Sequence, residues 1–172
     1  MNVVEVRVNG LVVEQKTQQN IVILRETDGV RILPIWIGPG EAHAIRRLMA
    51  EEPFPRPLTH DLLNTVIEGL KAKVTRVVIA ELRENTFYAN IVVERSGEVL
   101  TVDARPSDSI AVALKAAAPI FVNEGLLVPP PGEETETETT DEPREPTEEE
   151  RAEQLRRYLE KMDPEDFGKF RM

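Results

Sequence analysis

Two acids, an arginine and a serine fall close together in Asp103-Ala104-Arg105-Pro106-Ser107-Asp108. Asp103 closes an apolar stretch, where a charge is wasted unless it bonds something, and in an extended segment Asp103 and Arg105 share a face. One reading is an ion pair with Ser107 as the helix cap. The other is a metal-binding acid beside a phosphate-binding guanidinium. A second constellation is Arg56-Pro57-Leu58-Thr59-His60-Asp61. A histidine beside an acid can serve as general base or metal ligand, although an exposed histidine at a helix start is the plainer explanation. A third is Gly38-Pro39-Gly40-Glu41, where glycines between a strand and a helix can cradle a small anion. His43 stands where the third glycine of a dinucleotide fingerprint would be, which argues against a dinucleotide.

Glu41, Asp61 and Asp108 each fall in the first turn of an expected helix. Carboxylates there complement the helix dipole, so a structural role stands beside each functional one. No Ser/His/Asp order, phosphate-binding loop or zinc-ligand spacing occurs. With no cysteine, disulfides, thiol catalysis and thiolate metal sites are excluded. The residue types that remain suit metal-assisted phosphodiester hydrolysis, with Mg²⁺ or Mn²⁺ activating water and neutralising the leaving oxygen. Asp103, Asp108 and Glu41 are the candidate ligands.

These residues sit at junctions of a duplicated pattern. Shifting the chain by 67 positions lays Leu11-Val12 on Val78-Ile79, Leu33 on Leu100, Pro39 on Pro106, Glu41 on Asp108 and Ile45 on Val112. In the first copy Val4, Val6 and Val8 alternate with polar residues, as in a half-buried strand, and Gly10 marks a candidate bulge. A second strand covers about 20–26, Asp28-Gly29 signals a turn, and a third strand runs through Ile32–Ile37. A helix from Pro39 carries Ala42, Ile45, Leu48 and Met49. The second copy repeats this with strands at about 73–83, 86–94 and 98–104, a Ser96-Gly97 turn, and a helix from about 107 carrying Ile110, Ala111, Leu114 and Ala118. Between the copies, Pro53-Phe54-Pro55-Arg56-Pro57 is extended. A helix of about 60–71 follows, capped by Thr59, with Leu62, Leu63, Val66, Ile67 and Leu70 as its apolar side. The expected fold class is α+β: duplicated β-β-β-α units with antiparallel or mixed sheets packed together and covered by helices.

The 172 residues allow one domain, 1–128, followed by a tail. Residues 129–146 are an acidic, proline-rich linker that cannot build a core. Residues 147–172 carry an amphipathic helix with Leu155, Tyr158, Leu159 and Met162 on one stripe, a Thr147/Glu150 capping box and a stop at Pro164. The stripe is expected to dock on the body or on a neighbouring subunit. Net charge is −10, yet the body is close to neutral, with 14 Lys and Arg against 16 Asp and Glu in residues 1–128. Nucleic-acid affinity comes mainly from basic surface, and none is concentrated in the sequence. No apolar run approaches the roughly 20 residues of a membrane span, and no basic segment precedes an apolar one at the N-terminus. A cytoplasmic protein without a membrane partner is expected.

Three runs resemble the signatures of the bifunctional nuclease family. They are Leu33-Pro34-Ile35-Trp36-Ile37-Gly38-Pro39 with Glu41-Ala42 and Ala44-Ile45; Arg56-Pro57 with Thr59-His60-Asp61-Leu62; and Asp103-Ala104-Arg105-Pro106-Ser107-Asp108-Ser109-Ile110-Ala111. Pro119-Ile120, Phe121-Val122 and the terminal Pro164-Glu165-Asp166-Phe167 also match, and Ser109 stands where alanine is commoner in the family. The resemblance covers about residues 3–127. It implies cleavage of both RNA and DNA, an α+β fold that associates through its sheets, and hence a homo-oligomer. Where signature and chemistry coincide, Asp103, Asp108, His60, Asp61 and Glu41 are the catalytic candidates. Arg105, Arg56 and Ser107 are the candidates for substrate binding. A non-catalytic oligomeric binding or regulatory module is the alternative.

Overall fold

The duplication is visible in the backbone. The computed structural model describes residues 2–130 and 148–161. Along them run β1 Val3–Val13, β2 Asn20–Glu26, β3 Ile32–Ile37, α1 Pro39–Met49, α2 Thr59–Gly69, β4 Ala72–Arg83, β5 Thr86–Arg95, β6 Glu98–Ala104, α3 Pro106–Ala116, β7 Ile120–Asn123 and α4 Glu148–Lys161. The offset of 67 carries both ends of α1 onto both ends of α3. Each copy is an antiparallel three-stranded meander followed by a helix. The β1–β2 ladder slips between Val8 and Gly10, and the β4–β5 ladder slips between Val74 and Arg76, so a bulge recurs near the corresponding place. Ser96 and Gly97, with φ of 54° and 83°, make the tight β5–β6 turn, whose two left-handed residues match the twist of the flanking strands.

The expected α+β class holds, with one difference in how the halves join. They lie edge to edge in a single mixed sheet of order β3-β2-β1-β7-β4-β5-β6. The link is β7, antiparallel to β1 and parallel to β4. Its backbone satisfies two strand edges that would otherwise be open.

Side-chain alternation then assigns the faces. Val22, Leu24, Leu33 and Ile35 point with Val77, Ile79, Ile91 and Val93 into one core under α1 and α3, which supply Ala42, Ile45, Ile110 and Val112. Fully burying one such aliphatic side chain contributes about 1.5–3 kcal/mol. On the opposite face Ile21, Ile23, Ile32 and Trp36 form a second cluster with Leu159, and Leu155 packs against it. The stripe of the tail helix therefore docks on the body, as its spacing suggests. Thr147, Met162, Pro164 and nearly all of the linker lie outside the described residues. No helix among those described is long and apolar enough to cross a membrane.

Three local expectations change. The helix expected at 60–71 runs over Thr59–Gly69, and Leu58 rather than Thr59 precedes it as the cap. Its apolar residues mostly face outward: Leu62, Leu63, Val66 and Leu70 are exposed, whereas Asn64 is buried and Ile67 alone packs against the core. α2 is anchored through a narrow line of contacts, so its hydrophobic side is not its buried side. The third helix starts at Pro106 and ends at Ala116, leaving Ala118 beyond it.

Candidate active site

The two strand-to-helix junctions meet at Arg105. α1 and α3 both start with proline, whose missing N–H costs nothing there, and both follow extended caps, Gly38 and Arg105, that offer no side-chain hydrogen bond. Glu41 and Asp108 occupy the same third position of their helices. Arg105 donates from Nε and Nη2 to the two oxygens of Asp108, at 2.7 and 3.0 Å, and from Nη1 to Glu41 at 2.9 Å. One guanidinium thus bridges the equivalent acids of both copies and offsets one of their two charges. The Asp108 hydrogen bonds, with smaller help from Glu41, push the Arg105 pKa up. The Arg105 side chain is 56% exposed, so the pairs orient the two helix starts more than they stabilise the fold.

The neighbours of Arg105 are placed differently. Ser107 is buried in the first turn and follows the cap instead of being it. The Ser109 hydroxyl is fully buried and makes no hydrogen bond. Asp103 pairs in register with Asn90, while Val102 pairs with Ile91 of the core. Asp103 is therefore on the sheet face opposite α3, and it makes no ion pair among the described residues. The Asp103–Arg105 pair expected from their shared face does not form, because the chain turns into α3 at Arg105. Among the described residues no three His, Asp or Glu side chains converge on one point, so Asp103, Asp108 and Glu41 do not form a ligand set.

The second constellation lies in a cleft of about 530 Å³ at the far end of α3. Its walls are the last turn of α1 and the segment after it (Arg47, Glu51, Glu52, Phe54), the start of α2 (His60, Asp61) and the last turn of α3 (Lys115). Asp61 organises it. One carboxylate oxygen accepts the Leu58 backbone N–H at 2.9 Å, and the other lies 2.8 Å from Lys115 Nζ. Lys115 first, and the Leu58 amide second, hold the Asp61 carboxyl below its ordinary range. His60 Nε2 is 3.9 Å from Asp61. Arg47 is tied to Glu52 through the backbone oxygen at 3.0 Å and the carboxylate at 3.7 Å, and its guanidinium covers the Phe54 ring at 4.5 Å. Arg56 is exposed and is not part of the lining.

The structure thus unites Glu41 with Arg105 and Asp108, and His60 with Asp61. It keeps the two groups apart: Asp108 and Lys115 are seven residues apart on α3, about 10 Å of helical rise. Lys115, Arg47 and Phe54 were not singled out from the sequence. A lysine or arginine in a last helical turn is common for dipole reasons, so only the Pro-Phe-Pro punctuation marked this place.

A family model for the bifunctional nuclease domain matches residues 22–129. An uncharacterized protein of Mycobacterium tuberculosis is 42% identical over 169 residues, 95% of this chain and 97% of its own length. Bifunctional nuclease 1 of Oryza sativa subsp. japonica is 25% identical over 109 residues, 61% of this chain and 33% of the relative. Bifunctional nuclease 1 of Arabidopsis thaliana is 24% identical over 109 residues, 61% and 34% of the two chains.

Proposed function

Because the chain belongs to the bifunctional nuclease domain family, we propose that it is a nuclease of low sequence specificity, hydrolysing RNA and DNA phosphodiesters in the cleft between α1, α2 and α3. The observation that carries this reading is the meeting of an imidazole, His60, with two cations, Lys115 and Arg47, around one cavity that Glu51, Glu52 and Asp61 also line. DNA lacks a 2′-hydroxyl, so the sugar cannot be the nucleophile for both polymers, and in this reading water is. His60 takes the proton of that water as its oxygen attacks phosphorus. The bond to the leaving sugar oxygen breaks, that oxygen takes a proton from bulk water, and His60 returns the proton it accepted to the solvent. Asp61 steadies the imidazolium, and Lys115 and Arg47 offset the charge gathering on the phosphoryl oxygens.

A resident Mg²⁺ or Mn²⁺, expected from the sequence, does not suit the donors present. Of the candidate ligands, Glu41 and Asp108 already accept hydrogen bonds from the Arg105 guanidinium, a cation that would repel a second one placed between them. The test is purified protein with labelled single-stranded RNA and DNA in Mg²⁺, Mn²⁺ or EDTA. Cleavage that persists in EDTA and falls about 10²-fold or more in folded His60→Ala is expected. Full activity in that variant would remove the cleft from the reaction.

The alternative, a non-catalytic oligomeric binding or regulatory module, draws on the pairing of Glu41, Asp61 and Asp108 and on the exposed apolar side of α2. A wild-type chain that binds partners and cleaves neither polymer would favour it.

A further inference from the structure

We infer that Phe54 is a base-stacking platform that makes the cleft a site for single-stranded nucleic acid; this rests on the nuclease reading above. Phe54 keeps 57% of its surface exposed although it borders the cleft. The Arg47 guanidinium lies over the ring at 4.5 Å, and the surface that Phe54 leaves exposed is available to a ligand. Arg47 is itself held by Glu52, so the stack beneath the ring is braced. Pro53 and Pro55 flank the phenylalanine and restrict its backbone, which lowers the entropy lost when a ligand orders it.

Charge limits what else could hold the strand. The cleft lining holds two cations, Arg47 and Lys115, against three anions, Glu51, Glu52 and Asp61. Phosphate attraction by itself is then weak, and a contact that does not depend on charge must hold the strand. A nucleobase on an aromatic face supplies such a contact. In a duplex both faces of each base are already stacked on neighbours, so the contact is available only to unpaired strands.

The experiment measures binding of a short labelled oligonucleotide, single-stranded or annealed, to the full chain and to Phe54→Ala, Phe54→Leu and Phe54→Trp. Phe54→Ala and Phe54→Leu are expected to weaken single-strand binding about 5- to 140-fold, the range that 1–3 kcal/mol of stacking converts to. Phe54→Trp is expected to retain it, and duplex binding to stay unchanged. An abasic position in the strand should weaken wild type and have no further effect on Phe54→Ala. Leucine binding as well as phenylalanine, or equal losses on duplex and single strand, overturns the platform. If wild type still cleaves in that case, the nuclease reading survives alone. A wild-type chain that binds and cuts neither form overturns both.

Discussion

Asp61 Oδ1 stands 2.8 Å from Lys115 Nζ and so joins the first turn of α2 to the last turn of α3. The same carboxylate caps the Leu58 amide, which makes it the hinge pin of the cleft. Asp61→Asn keeps a capping oxygen and loses the ion pair, with an expected cost of about 1 kcal/mol; Asp61→Ala loses both, about 2 kcal/mol. The pH dependence follows from the depressed folded pKa. The stabilisation is fully present above the unfolded carboxylate pKa of about 3.9 and is lost as pH falls through the folded value. Urea melts should therefore show a constant gap between wild type and Asp61→Asn near neutrality that closes below about pH 4.

Arg105→Gln separates structure from chemistry at the other end of α3. It leaves Glu41 and Asp108 without the cation between them, and the exposure of Arg105 keeps the expected loss to about 0.5–1 kcal/mol at neutral pH. With His60 as the proton acceptor, kcat should be unaffected. A collapse of kcat in a folded Arg105→Gln protein would move the reaction to the α1–α3 junction.

Ser109 offers a stabilising change. Its hydroxyl is buried without a partner inside α3, so Ser109→Ala removes an unsatisfied polar group and adds helix propensity. A gain of about 1 kcal/mol is expected, read as a rise in Tm of a few degrees. A lower Tm would show that the hydroxyl is satisfied in solution.

The tail helix can be followed through the single tryptophan. Trp36 and Leu159 belong to one buried cluster on the sheet face away from α1 and α3. Leu159→Asp should release α4, because a carboxylate there would be desolvated without a partner. Trp36 emission should shift to the red while the far-ultraviolet signal of the sheet persists. Unchanged emission would mean that α4 does not cover this face in solution.

The outward apolar residues of α2 offer the homo-oligomer expected from the family resemblance a candidate face besides the sheets. Light scattering is expected to give a mass above the 19.4 kDa of one chain, and Leu62→Lys with Val66→Lys to return it to that value. Both side chains are already exposed, so the substitutions should not lower monomer stability. A wild-type chain that runs as a monomer would remove the proposal.

The repeating elements were legible because they are local. Alternation marks strands, a proline followed two residues later by an acid marks both α1 and α3, and Ser96-Gly97 marks its hairpin; none of these signals needs a distant partner. The same locality explains the errors. The stripe of α2 looks like a core face to any periodicity argument, yet which side of a helix is buried depends on what packs against it. The four residues of β7 carry too little pattern to announce a strand, and they become one only because β1 and β4 each present an unpaired edge.

The candidate site divides along the same line. From the residues alone came the acids at the helix starts, the His60-Asp61 pair and the near-neutral charge of the body. Which acid meets which cation was settled only by folding. Arg105 could have paired with Asp103 in an extended chain, but it turns to Asp108 and Glu41 because α3 begins there and α1 packs beside it. Lys115 reaches Asp61 because α2 and α3 pack together. Ion pairs and clefts are formed by groups far apart in the chain, and their distances are set by helix packing, which no single segment encodes.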